Sequence, residues 1–197
     1  QELVEQISTS SHNIGSASEE LSAVTQQTSQ SIYEQQSQTE QVATAISRGA
    51  FEFQGQKCSA ASRAYIPASM WPALKPMLVE TTNSLKMGTT EDFSNFVNAV
   101  IDQKSFTKLS GYIDRVADAN DAEIIAGGTY DDTEGYFIRP TIIETSNPKY
   151  TTMCEELFGP VLTIYVYEDD KFVETMQLLD ETSEYALTGS IFAQDRH

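Results

Sequence analysis

The sequence predicts an α/β fold: an open sheet with flanking helices, preceded by a long helix of coiled-coil type. Three observations predict it. Past residue 47, short apolar runs rich in Ile, Val and Tyr alternate with amphipathic stretches, as strands and helices do in a layered sheet. Residues 1–47 differ in kind, with no Lys or Arg, no Pro, a single Gly (Gly15) and a crowd of Ser, Thr and Gln. Within them Ile7, Ile14 and Leu21 form one series and Leu3, Ser10, Ala17 and Val24 a second, the a/d seam of a left-handed coiled coil. The organisation expected is a helical segment over 1–46 and an incomplete α/β domain over 47–197.

Taken in order, the first element is one helix of about 70 Å at about 1.5 Å per residue. Its seam weakens at Thr28, Ser31 and Gln35, and Ile32, Val42 and Ile46 continue it in part. A helix with one narrow apolar stripe cannot bury it alone, so helix–helix self-association is expected. The same polarity also suits a disordered Ser/Gln-rich tail. Residues 42–54 continue helical with Ala45, Ile46, Gly49 and Phe53 near one face. Arg63–Ile66 is a strand ended by Pro67. Residues 69–86 form a helix with Trp71, Leu74, Leu78 and Leu85 inward and Pro72 in the first turn. Pro76 is expected to kink or delay that helix, and Gly88 to end it. A helix over 103–118, a strand over Glu123–Ala126 closed by Gly127-Gly128, and strands over Phe137–Glu144 and Val161–Tyr167 follow. A helix over Asp170–Asp180 and a last strand over Leu187–Ala193 complete the pattern.

Composition excludes several functions. The chain carries 12 Lys+Arg against 29 Asp+Glu, a formal charge of −17, which opposes nucleic-acid and anionic-lipid binding. No run approaches the ~18 apolar residues of a membrane span. Two cysteines far apart and two histidines, one of them terminal, make no disulfide framework, no metal pattern and no His-based triad. His12 and His197 read as exposed and inert, and Cys154 as structural. The chain begins at Gln1, so targeting signals are not readable.

Ser16-Ala17-Ser18-Glu19-Glu20-Leu21-Ser22-Ala23 sets a Glu pair among small residues, with Gln26-Gln27 and Glu40-Gln41 at heptad spacing. This resembles the methylation sites of bacterial chemoreceptors (methyl-accepting chemotaxis proteins) and covers residues 2–46. It implies that Glu19, Glu20, Gln26, Gln27, Glu40 and Gln41 are modification sites, where esterification would remove charge from a helix bundle. The hairpin tip by which that family binds its kinase and adaptor is absent from this sequence.

The run Gly55-Gln56-Lys57-Cys58-Ser59-Ala60-Ala61-Ser62-Arg63 follows a helix and presents a cysteine, which becomes a nucleophile where backbone N–H groups or a cation stabilise its thiolate. A lone cysteine is more often a small buried hydrophobe. The full run resembles the nucleophile motif of the aldehyde dehydrogenase superfamily. With Phe51-Glu52-Phe53 before it and Tyr65-Ile66-Pro67 after, it is most similar to the delta-1-pyrroline-5-carboxylate dehydrogenases, which oxidise L-glutamate γ-semialdehyde. Gly135-Tyr136-Phe137-Ile138-Arg139-Pro140-Thr141, Glu155-Glu156-Leu157-Phe158-Gly159-Pro160-Val161 and Tyr185-Ala186-Leu187-Thr188-Gly189 extend the resemblance over about 42–197.

The resemblance implies NAD as cofactor and a small aldehyde as substrate. Cys58 would be the nucleophile, and its N–H half of an oxyanion hole. Ser59 would bind the substrate carboxylate, Glu156 the nicotinamide ribose, and Phe158 the nicotinamide ring. The family's glutamate base, oxyanion asparagine and Gly-rich phosphate turn have no counterpart in this sequence. The chain is therefore expected to be an inactive piece of its parent enzyme, in the bacterial cytoplasm or, for a eukaryotic chain, the mitochondrial matrix. Two further readings stay open: a chemoreceptor-type signalling module with an α/β passenger, and an artefactual chimera.

Overall fold

The computed structural model describes residues 1–193. It divides into two compact units, Gln1–Thr39 and the chain from Glu40 onward. The first unit is helical throughout, as part of α1 (Glu2–Phe51). Its larger apolar residues are exposed to solvent, among them Leu3, Ile7, Ile14, Leu21, Val24 and Ile32. Thr9, Thr25, Thr28 and Thr39 each donate their hydroxyl to the carbonyl four residues back, at 2.7–2.9 Å. Those bonds occupy hydroxyls that would otherwise compete with the helix.

In the second unit the sheet order is β1 (Arg63–Pro67), β6 (Val161–Tyr167), β5 (Thr141–Thr145), β2 (Ala122–Ala126). The first three strands run parallel and β2 is antiparallel to β5. Period-two alternation sends neighbouring side chains of β5 to opposite faces, and each face has its own core. Ile142, with Leu162 and Ile164, packs under Ala43, Ile46, Ala50 and Phe51 of α1 and Trp71, Leu74 and Leu78 of α2 (Trp71–Ser84). Ile143, with Val161, packs under Phe106, Leu109, Ile113 and Val116 of α3 (Gln103–Ala117). Parallel strands covered on both faces are apolar along their length, as in Val161–Ile164. Asp102 caps α3 by accepting the Ser105 N–H at 2.7 Å.

Several expectations are corrected. The buried face of the last turns of α1 is Ala43, Ile46, Ser47, Ala50 and Phe51, whereas Ala45 and Phe53 are exposed. Helix α2 runs through Pro76 without delay; Pro72 and Pro76 lie on its exposed side, where a carbonyl lacking its N–H partner reaches water. Leu85 is half-buried and already extended, so α2 ends at Ser84. Gly88 instead bonds Val97 and packs against the Asn95 amide. Pro140 breaks the expected strand Phe137–Glu144, which becomes β4 (Phe137–Ile138), paired with β3 (Tyr130–Asp131), and then β5. The Asp170–Asp180 helix begins with a 3-10 turn at Asp169–Lys171 and continues as α5 (Phe172–Thr182).

Residues 187–193 form no strand and are exposed, because a strand needs a paired neighbour and none lies beside them among the described residues. The short helix α4 (Thr151–Cys154) has no sequence expectation behind it. Gln194, Asp195, Arg196 and His197 lie outside the described residues.

Candidate active site

Two segments of the second unit meet at the candidate site, the turn after α1 and the stretch after α4. Phe51 is the last residue of α1, and Phe53, Gln54 and Gly55 all take left-handed backbone (φ 53°, 60° and 63°). For the two non-glycines this conformation costs roughly 1–2 kcal/mol each, so other contacts must hold the turn. Gln54 Nε2 donates to the Ala99 carbonyl at 3.3 Å, and Gln56 Oε1 accepts the Ile101 N–H at 3.1 Å. Lys57 Nζ pairs with Glu52 at 2.8 Å. Lys57, then Arg48, hold the exposed Glu52 carboxyl below its ordinary range by hydrogen bonds. Gly55 is buried, and a Cβ there would run into the Gly159 carbonyl oxygen. Only glycine satisfies both the backbone angle and that approach.

Beyond this turn Cys58 and Ser59 stand exposed. Bonds from the Ala60 N–H to the Lys57 carbonyl (3.1 Å) and from the Ala61 N–H to the Gly49 carbonyl (3.0 Å) shape their loop. Among the described residues the Cys58 N–H has no hydrogen-bond partner. Cys154 is half-buried.

Helix α3 grips the second segment along one edge. Lys108 Nζ donates to the carbonyls of Glu156 (2.7 Å) and Leu157 (3.1 Å). Leu109 lies against Gly159, and the Tyr112 hydroxyl bonds the Glu155 carboxylate, which pushes the phenol pKa up. Leu157 is buried between two exposed neighbours, Glu156 and Phe158. Phe158 takes φ 56°, and its N–H donates to Glu156 Oε1 at 3.0 Å. One carboxylate oxygen is thus fixed by backbone, and the second can accept from a vicinal diol. An open cavity of about 420 Å³ is lined by Cys154, Glu155, Glu156 and residues 182–185. Arg63 ties two of its walls together by donating to the Met153 carbonyl at 3.0 Å and the Tyr185 carbonyl at 3.1 Å.

The Gly55–Gly159 contact joins the turn that leads into the Cys58 loop to the segment that carries Glu156 and Phe158, and Cys58 is not among the residues that line the open cavity. Sequence reasoning missed Gln54, Gln56, Arg63 and Lys108. The two glutamines flank Gly55 inside the quoted motif, and that placement was the available signal; Lys108 offers none until α3 is folded over the segment. Glu19, Glu20, Gln26 and Gln27 lie exposed on α1 in the first unit, and Glu40 and Gln41 exposed on α1 in the second.

The family model described as the aldehyde dehydrogenase family matches residues 7–197. The chain belongs to the aldehyde dehydrogenase family. That match reaches well back into α1, further than the motifs alone, which begin near Val42. A mitochondrial delta-1-pyrroline-5-carboxylate dehydrogenase of Dictyostelium discoideum is 59% identical over 150 residues, 76% of this chain and 27% of its own length. The human mitochondrial protein of that name is 48% identical over 158 residues, 80% of this chain and 28% of its own. The crystal structure of delta-pyrroline-5-carboxylate dehydrogenase from Mycobacterium tuberculosis bound with NAD superposes with a TM-score of 0.71 at 42% identity, covering 79% of this chain and 28% of that one. The chain thus spans little more than a quarter of the length of the curated relatives it matches.

Within the family, NAD is the expected cofactor. Glu156 offers such a molecule an exposed carboxylate held at one oxygen, and Phe158 beside it is 43% exposed.

Proposed function

We propose that this chain supplies the thiol-bearing part of the catalytic domain of an NAD-dependent dehydrogenase that oxidises L-glutamate γ-semialdehyde to glutamate, a step of proline catabolism. The observation that supports it is the close approach of Gly55 to Gly159, which joins the turn leading to an exposed cysteine to the segment that carries the exposed Glu156 and Phe158. In this reading residues 1–46 form the helical segment and 47–197 the dehydrogenase part, in the bacterial cytoplasm or the mitochondrial matrix.

Cys58 Sγ, as the thiolate, attacks the aldehyde carbon and gives a thiohemiacetal. The unpartnered Cys58 N–H accommodates the oxyanion, an interaction typically worth about 3 kcal/mol to the transition state. Loss of hydride from that carbon leaves a thioester on Cys58, which water hydrolyses to the carboxylate while the thiol is restored. Bound NAD supplies the hydride acceptor. Ser59 donates its hydroxyl to the substrate's own carboxylate. The free oxygen of Glu156 accepts from the ribose hydroxyls, and Phe158 packs beside the ring.

Replacing the equivalent segment of the Dictyostelium enzyme by residues 42–193 tests this reading. Glutamate semialdehyde should still yield NADH, and Cys58→Ala should lower the rate by about 10³-fold or more. A transplant that folds but makes no NADH, or one indifferent to Cys58→Ala, overturns the assignment. The 197-residue chain alone should show no turnover, because its sequence has neither the glutamate base nor the phosphate-binding turn the chemistry requires.

A second reading concerns the helical segment, where Glu19, Glu20, Gln26, Gln27, Glu40 and Gln41 are exposed on α1 as most of its residues are. There the residues serve as chemoreceptor-type methylation sites. Transfer of a methyl group from S-adenosylmethionine by a chemoreceptor methyltransferase, lost in Glu19→Ala/Glu20→Ala, is the expected result; no transfer to the parent chain refutes it.

A further inference from the structure

Cys58 and Ser59 are the two central residues of a four-residue turn, closed by the Ala60 N–H donating to the Lys57 carbonyl at 3.1 Å. Both ends of that turn are tied back to the end of α1. At its exit the Ala61 N–H donates to the Gly49 carbonyl at 3.0 Å. At its entry Lys57 Nζ meets Glu52 Oε2 at 2.8 Å, and Arg48 Nη2, one helical turn back, meets Glu52 Oε1 at 3.3 Å. The Lys57 ammonium also stands 5.7 Å from the centre of the Phe53 ring. Among the described residues neither Cys58 nor Ser59 has a side-chain hydrogen bond of its own, so the ends of the turn place it.

The backbone alone does not supply the pin at the entry. Phe53, Gln54 and Gly55 all have left-handed φ, which folds the chain back and brings Lys57 within reach of a residue five positions earlier. Gln54, Gly55 and Gln56 are held by residues 99–101 and Gly159, away from α1. Past Gln56, the Glu52–Lys57 pair is the next side-chain link before the cysteine. Its side chains are 37% and 28% exposed, so water screens the pair and it adds little to global stability. Its consequence is geometric, since a displacement of about 1 Å at a reacting atom can lower a rate on the order of 10²-fold.

We propose that Glu52 is a positioning residue for the Cys58 thiol, acting through Lys57 to fix the entry of the turn that bears it. This role rests on Cys58 being the nucleophile of the dehydrogenase reading. In the transplant that carries residues 42–193 in the Dictyostelium enzyme, Glu52→Gln should lower kcat for glutamate semialdehyde by about 10- to 100-fold. The KM for NAD, which Glu156 and Phe158 serve in that reading, should stay within about twofold. Lys57→Gln should show a similar loss of kcat, and Lys57→Arg, which keeps the charge, should retain most of the parent rate. Glu52→Gln/Lys57→Gln should be no slower than either single variant, because both changes break one link. In the 197-residue chain, amide exchange read by mass spectrometry should quicken in Glu52→Gln for residues 57–61 and stay as in the parent for β5, β6 and α3.

A Glu52→Gln transplant as fast as its parent overturns the role, as does a loss that adds to that of Lys57→Gln. Unchanged exchange at 57–61 overturns it too. So does faster exchange throughout the second unit, which would make Glu52 a stabilising residue only. A transplant that is inactive with Glu52 intact, or indifferent to Cys58→Ala, overturns the dehydrogenase reading and this role with it, so the two failures are told apart.

Discussion

Gly55 is where the candidate site is most sensitive to a single atom. A methyl group there meets both an unfavourable φ and the Gly159 carbonyl, so Gly55→Ala should destabilise the second unit by more than about 2 kcal/mol. Urea unfolding measures this, and a change within error would show that the two segments can separate freely. Cys58 and Cys154 differ in access, one exposed and one half-buried. Limiting iodoacetamide should therefore modify Cys58 first, as read by peptide mass spectrometry. Lys75 presents a different case. Its ammonium pairs with Glu144 at 2.5 Å and Glu123 at 3.3 Å, and the Glu144 hydrogen bond, foremost, raises its pKa above the ordinary value. A raised folded-state pKa stabilises fully below the unfolded value of about 10.4 and loses that contribution as pH climbs through the folded one. The stability difference between the parent chain and Lys75→Met should hold across neutral pH and shrink only in strong alkali.

Between elements, the contact of α1 with α2 contains a buried polar pair. Ser47 Oγ and Thr82 Oγ1 lie 3.1 Å apart, both with no exposure. Removing one partner strands the other in an apolar core, whereas removing both does not. Thr82→Val should cost about 1–3 kcal/mol, and the added Ser47→Ala should recover part of it, giving a coupling visible in a double-mutant cycle. At the start of α3, Asp102→Ala should cost about 1 kcal/mol through loss of the cap. That helix also bears Lys108 and Leu109, so its placement and that of the Glu156 segment are mechanically one matter.

For the whole molecule, among the described residues both hydrophobic cores draw only on residues from Val42 onward. Deleting residues 1–39 should therefore leave the second unit folded, with its thermal midpoint within a few degrees of the parent chain by near-UV circular dichroism. Loss of the cooperative transition would mean that α1 supports more than its own last turns. The elements were largely legible in sequence because β1, β6, α3 and the C-terminal part of α1 carry periodicity that matches what they bury. The failures have physical causes. Leu187–Ala193 has strand composition, but a strand exists only with a neighbour to pair with, and composition does not supply one. Gly88 resembles a helix-ending glycine locally, yet the space it vacates is used by Asn95. Pro140 splits one apolar run between two sheets because it has no N–H to offer a ladder.

The amino-acid sequence by itself determined the fold class, the break in character near residue 47, and the motifs around Cys58 and Glu156, since these rest on local pattern and residue chemistry. Only the tertiary structure decided that Gly55 and Gly159 touch, that Gln54 and Gln56 anchor the turn to residues 99–101, and that Lys108 and Arg63 hold the walls of the site. Each of those is a meeting of residues distant in the chain. Whether such residues meet depends on how the helices and strands pack, which no local pattern contains.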